Sequence, residues 1–208
     1  MLGVYLHWTT CRDGIGIADR PDWDPRDRAL NLEGKYRTKR TKRLRFHLTN
    51  LSDPLVLRYA NAHTIEMMRA FYSENGLPYF GEDSPVFRPA AVPQSGLFQS
   101  LLKCGAGPVD ARAEEANTIL QRHRLRPRLA VTGKRGLAIE FEINSLRNYM
   151  ELECVAIAQA GALLVQCPVD GKFFLKGPLT GRRIDTKTCS DRCRMKASRL
   201  KASQSGRR

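Results

Sequence analysis

The sequence predicts an α+β chain: a mainly helical N-terminal domain with a small antiparallel sheet over residues 1–162, a cysteine-bearing knuckle over 163–201, and a disordered basic tail over 202–208. Three observations carry that expectation. Apolar residues alternate with period two near the N-terminus and again across 129–143. They recur at helical spacing from Asp53 to Asn75, in the stretches 94–103 and 110–123, and from Ser145 to Gly161. Beyond Gln166 the apolar patterning gives way to Cys, Gly, Pro and basic residues.

At 208 residues the chain has room for one ordinary domain and a small appendage. With 42% hydrophobic and 27% charged residues it has the composition of a folded protein rather than a disordered one. Its net charge of +14 predicts attraction to polyanions, nucleic acid first and anionic membrane surfaces second. No apolar run approaches the ~20 residues that span a bilayer. Met1 to Trp8 has no basic segment ahead of its apolar residues and does not read as a signal peptide. These features point to the cytoplasm, where six cysteines are buried thiols or metal ligands rather than disulfides.

Val4, Leu6 and Trp8 alternate with Tyr5 and His7, a short strand pattern. Residues 12–36 carry charges, Gly and Pro and read as a surface excursion. Lys35 to Arg45 holds seven basic residues and no acidic one, and merges into a strand on which Leu44, Phe46 and Leu48 alternate with polar residues. Asp53-Pro54 opens a helix with Ile65, Met68 and Phe71 or Tyr72 facing inward until Asn75-Gly76 stops it. Four prolines make 77–93 a loop. A short helix spans 94–103; a second, over 110–123, is capped by Asp110 and turns Ala113, Ala116 and Leu120 inward. A hairpin follows, Leu129–Val131 and Leu137–Ile143 around the turn 132–136. Asn144 or Ser145 then caps a helix with Leu146, Tyr149, Met150 and Leu152 or Glu153 in its first turns, ending at Gly161.

The chemistry concentrates after that helix. Cys167-Pro-Val-Asp170-Gly171 has the form of a metal-binding turn, Cys-Pro-x-Cys-Gly, with Asp170 in place of the second thiol. Cys189 and Cys193 flank Ser190-Asp191, a helix N-cap signal, so their sulfurs sit at the positive end of a helix dipole. A segment this rich in Gly and Pro cannot bury enough apolar surface to fold alone. A tetrahedral zinc ion held by Cys167, Asp170, Cys189 and Cys193 solves that problem by joining the turn to the helix start. The alternative is a metal-free remnant in which Phe173, Phe174 and Leu175 hold the turn. Cys11, Cys104 and Cys154 are dispersed, and each reads as a small buried hydrophobe.

The run Cys189-Ser190-Asp191-Arg192-Cys193-Arg194, continued by Lys196-Ala197 and Arg199, resembles the Cys-Ser-x-x-Cys-Arg-x-Lys-Ala-x-Arg signature of bacterial treble-clef zinc knuckles. It is similar to that of the CGNR zinc-finger proteins, whose C-terminal finger follows an α-rich domain. Asn50 to Pro78 also looks like the helical unit that precedes such knuckles. The strong resemblance covers residues 167–199 and implies a treble-clef-like knuckle with bound zinc. It also implies the role of a bacterial DNA-binding transcriptional regulator. Asp170 departs from the pattern where a Cys is expected, and Thr188 and Ser198 stand where it has aromatics.

Independently of any family, residues 172–208 hold twelve Lys or Arg against Asp185 and Asp191, so +10 of the chain's +14 lies there. In a helix over 191–202, Cys193, Ala197 and Leu200 face the knuckle, while Arg192, Lys196 and Arg199 form an outward stripe flanked by Arg194 and Lys201. Like charges at that spacing repel, which points to an anionic partner; a merely solvated tail is the alternative. With Arg182, Arg183 and Lys187 these residues make the candidate nucleic-acid surface, DNA ahead of RNA because no aromatic platform for single strands accompanies the charge. An interaction protein that binds RNA, ribosome or an acidic protein is the second reading. No catalytic constellation is visible. His63 and Glu66 lack the metalloprotease spacing, and the turns Gly105–Gly107 and Gly133–Gly136 lack that of a phosphate loop. The chain reads as a non-enzyme with no membrane partner, and no residue points to a ligand for the N-terminal domain or to an oligomeric state.

Overall fold

The structure, a computed structural model, describes residues 3–11, 16–18, 29–31, 37–42, 50–75, 95–123, 126–132, 136–143 and 145–205. Strands β1 (Gly3–Cys11), β4 (Arg37–Lys42), β5 (Arg126–Thr132) and β6 (Gly136–Ile143) form one sheet in the order β4-β1-β6-β5. The β5–β6 hairpin pairs Leu129 with Ile139 and Val131 with Leu137, as its alternation predicts. The sheet is not wholly antiparallel, however: β1 lies parallel to β6, with Val4 opposite Phe141. Alternation fixes the face of a strand but not its distant partner, so this pairing is invisible to the period. Two short strands, β2 (Gly16–Ala18) and β3 (Ala29–Asn31), pair within the expected excursion. The alternation at Leu44, Phe46 and Leu48, the loop 77–93 and residues 206–208 lie outside the described residues.

The single helix expected from Asp53 is two, α1 (Leu55–Ala60) and α2 (Ile65–Asn75). Asn61 closes the first, and Thr64 restarts the second by accepting from the Met67 N–H at 3.2 Å. Helix α1 has no side-chain cap of its own. Its first N–H groups are met from across the core by Glu153, whose carboxylate accepts from Leu55 N at 3.0 Å and Val56 N at 2.7 Å. Burial pushes that carboxyl up to about 8, against the pull of these two N–H groups.

Helix α3 (Gly96–Ala106) is capped by Ser95, and α4 (Val109–Arg122) starts after Pro108 with no side-chain cap. Asp110 therefore lies inside the first turn of α4 rather than capping it. The inner face of α4 is also rotated: Ile119 is buried, whereas Ala113 and Leu120 are exposed. The half-buried Arg112 reorients the helix, donating to the carbonyls of Gly107 (2.7 Å), Gly105 (3.3 Å) and Ala162 (3.4 Å). Helix α5 (Leu146–Ala160) is capped by Ser145, not Asn144, and ends at Gly161 in the left-handed region.

Strands β7 (Leu163–Gln166) and β8 (Phe173–Lys176) form an antiparallel hairpin. Leu164 and Leu175 are buried in the same apolar cluster as the helices, and Phe98 meets Phe173 edge-on at 5.3 Å. Gly105 belongs to α3, not to a turn, and its missing side chain makes room for the hairpin. A Cβ there would fall 2.6 Å from that of Leu164. Asn61 fastens the outer edge, donating to Phe173 O at 2.9 Å and accepting from Phe173 N at 2.8 Å. Helix α6 (Asp191–Ser205) completes the fold and continues into the stretch expected as tail.

Candidate metal centre and basic surface

The turn between β7 and β8 is closed by two backbone bonds, Gly171 N to Cys167 O at 2.9 Å and Cys167 N to Lys172 O at 2.8 Å. This closure brings Cys167 and Asp170 to one side of the hairpin end. The helix start is fixed separately. Ser190 caps α6 by accepting from Cys193 N at 3.3 Å, which sets Cys189 just ahead of the helix and Cys193 within its first turn. Arg182 joins the two pieces: its guanidinium lies 5.6 Å above the Phe174 ring and donates to Cys189 O at 2.9 Å.

The donor atoms of Cys167, Asp170, Cys189 and Cys193 all lie within 4.8 Å of one another, a set able to hold a metal ion. Cys189 Sγ is 3.5 Å from Cys193 Sγ and 3.3 Å from Asp170 Oδ2; Cys193 Sγ is 3.4 Å from the same oxygen. Phe174 is buried with Cys167 and Cys193, and Val165 and Val169 pack against this second, small apolar cluster. Asp170 is exposed and Cys189 half-buried, so the carboxylate side of the centre faces a cleft of about 510 Å³ against α1 and α2.

Electrostatics sharpen the division of roles. Burial resists ionisation of Asp170, but thiol hydrogen bonds and the Lys172 N–H outweigh it and hold the carboxyl down at about 2. Burial of Cys167 likewise resists ionisation; backbone groups of Cys189, Val169 and Asp170 overcome it and draw that thiol below its ordinary range. Cys189 goes the other way, up to about 12, through burial and the adjacent Asp170 carboxylate. A cation placed among the four donors reverses that repulsion and favours the thiolate. Cys104 and Cys154 are fully buried among apolar side chains, and burial raises both thiols, to about 12 for Cys104. The side chain of Cys11 lies outside the described residues.

No family model, curated protein or solved structure matches this chain. Function is therefore read from the site itself.

Of the candidate nucleic-acid residues, Arg183, Lys187, Arg192, Arg194, Lys196, Arg199 and Lys201 are exposed. Arg182 is half-buried, with its guanidinium on the Leu175 and Cys189 carbonyls, so it braces the knuckle. On α6, Cys193 is buried and Ala197 half-buried, but Leu200 is 53% exposed and does not reach the knuckle. The sequence pattern did not reveal a cleft of about 860 Å³ between the 181–190 segment and α6, onto which Arg183, Lys187, Arg194 and Lys201 open. Its walls come from segments that no periodicity relates. His63 and Glu66 are both exposed, with His63 in the break ahead of α2. Among the described residues no helix is long and apolar enough to cross a membrane.

Proposed function

We propose that the chain is a nucleic-acid-binding protein, a bacterial DNA-binding transcriptional regulator, whose treble-clef-like knuckle is held by zinc. One observation carries the reading. The four gathered donors sit in the same small unit, residues 167–208, that carries +9 of the chain's +14. Zinc fits the donor set in chemistry and in spacing. At about 2.3 Å from sulfur and about 2.0 Å from carboxylate oxygen, a tetrahedral ion sets its donors roughly 3.5–3.8 Å apart. The separations among Asp170, Cys189 and Cys193, 3.3–3.5 Å, lie just below that range, and all four donors lie within 4.8 Å of one another. Two donors at a hairpin turn and two at a helix start support the treble-clef reading. When bound, the ion supplies the cross-link that the small apolar cluster around Phe174 cannot.

The chain's own residues then do the binding. Exposed Lys and Arg on α6 and on the 181–190 segment meet phosphates, and release of counterions drives association. No catalytic role is assigned, and the cytoplasm is the compartment consistent with three zinc-bound thiols. Elemental analysis and gel shifts test the proposal together. The expected result is close to one zinc per chain, lost in Cys189→Ser, with duplex DNA binding that falls by orders of magnitude between about 50 and 200 mM salt. Metal-free protein in which Cys189→Ser changes nothing would remove the zinc claim. Binding to single-stranded RNA tighter than to duplex DNA would hand the function to the RNA-binding alternative.

A further inference from the structure

Helix α6 is basic on two sides. At about 100° per residue, Arg192, Lys196 and Arg199 share one face, whereas Arg194, Ser198 and Lys201 share a face about 180° away. Cys193, buried at the metal centre, lies between them and anchors the helix. The two basic faces differ in what stands opposite. The Arg192 stripe does not line the cleft that the Arg194 face lines, and all three of its residues are exposed. The Arg194 face forms one wall of the cleft of about 860 Å³, and the segment carrying Arg183 and Lys187 forms the other.

We propose that the phosphate backbone of duplex DNA is gripped in this cleft, and that the outward stripe contributes only long-range attraction; this rests on the nucleic-acid reading above. Three features favour that occupant. Cations stand on both walls, so one phosphate strand is met from two sides. The lining includes the small and hydroxyl-bearing residues Thr186, Thr188, Ala197 and Ser198, which admit a close-lying backbone and offer hydrogen bonds to its oxygens. Among the described residues no aromatic side chain lines the cleft, so they offer no stacking platform of the kind by which single strands are held. Asp185 and Asp191 also border it, and Asp191 pairs with Arg194 at 3.2 Å. That pair spans an exposed helix turn and is readily exchanged for a phosphate partner. Arg182 matters indirectly, since its bond to Cys189 O ties the cleft wall to the metal centre.

Two triple variants of the full chain remove equal charge. One is Arg183→Ala, Lys187→Ala and Arg194→Ala in the cleft; the other is Arg192→Ala, Lys196→Ala and Arg199→Ala on the stripe. All six side chains are exposed, and zinc content with helical circular dichroism verifies folding. Affinity for a mixed-sequence DNA duplex is measured across salt. The cleft variant is expected to lower the slope of log affinity against log salt by about 2.7, at about 0.9 per lost phosphate contact, and the stripe variant by less than about 1. A stripe variant that loses as much as the cleft variant, or more, overturns the cleft assignment and leaves DNA binding standing. If neither variant changes affinity, the nucleic-acid reading itself fails. If single-stranded DNA binds more tightly than duplex, the duplex assignment fails.

Discussion

At Asp170 a carboxylate stands where the turn Cys-Pro-x-Cys-Gly has a thiol, and the structure brings it to the same point in space. Its oxygens lie 3.3–3.4 Å from two cysteine sulfurs, so the carboxylate takes its place among the four gathered donors. Its donor character is harder, however, and its exposure leaves one side of the centre open to water. Asp170→Cys is therefore expected to tighten zinc binding by about tenfold or more, since a fourth thiolate is a softer and stronger donor. Competition against a chelating dye measures this; an unchanged or weaker affinity would show that the carboxylate is not bound to the metal. All four donors were legible in the sequence, because turn chemistry and capping chemistry are local. Arg182 was not, because its charge suggested a solvent-facing contact. Its neighbours Phe174 and Cys189 O reveal a brace instead. Glu153 escaped for a similar reason: nothing local tells that a charged residue on α5 caps a distant helix.

Among the elements, the docking of the β7–β8 hairpin on α3 decides how the knuckle is carried. Helix α3 tolerates Gly105 although glycine in a helix interior costs roughly 0.5–1 kcal/mol relative to alanine. Propensity alone would make Gly105→Ala stabilising. The 2.6 Å approach to the Leu164 Cβ predicts the reverse, a net loss of about 1–3 kcal/mol, as that Cβ is fixed to its backbone and cannot swing away. Urea unfolding of the variant reads the sign directly, and a gain in stability would contradict the tight docking. Most element positions followed from period and capping: β5, β6, α3, α5 and the start of α6. Where the structure departs from the pattern, a tertiary contact explains it. The carbonyls that bind Arg112 rotate α4, and a break at Asn61 lets that side chain bond to Phe173.

Across the whole molecule the knuckle has two unequal halves. Its hairpin is welded to the helical core by Leu164, Leu175 and the Phe98–Phe173 contact, with Asn61 along its edge. Among the described residues, helix α6 contributes no side chain to that helical core. It buries Cys193 and half-buries Ala197, while Met195 and Leu200 are more than half exposed. Among the described residues its contacts with the rest include the four-donor cluster, the small apolar cluster around Phe174 and the Arg182 brace. Zinc bound as proposed would thus contribute its folding energy mainly to 181–205, where repulsion among the basic residues works against order. Removing the metal from the full chain with a strong chelator should therefore act locally. Amide hydrogen exchange is expected to speed up across the 181–190 segment and α6 by at least about tenfold, while α5 and β7, buried in the helical core, keep their protection. Duplex DNA binding should weaken in parallel, because the two walls of the basic cleft are no longer held at a fixed separation. Uniform loss of protection through α5 would instead mean that metal and helical core fold as one cooperative unit. Unchanged exchange in α6 would mean that the apolar cluster suffices and that zinc does not hold the helix.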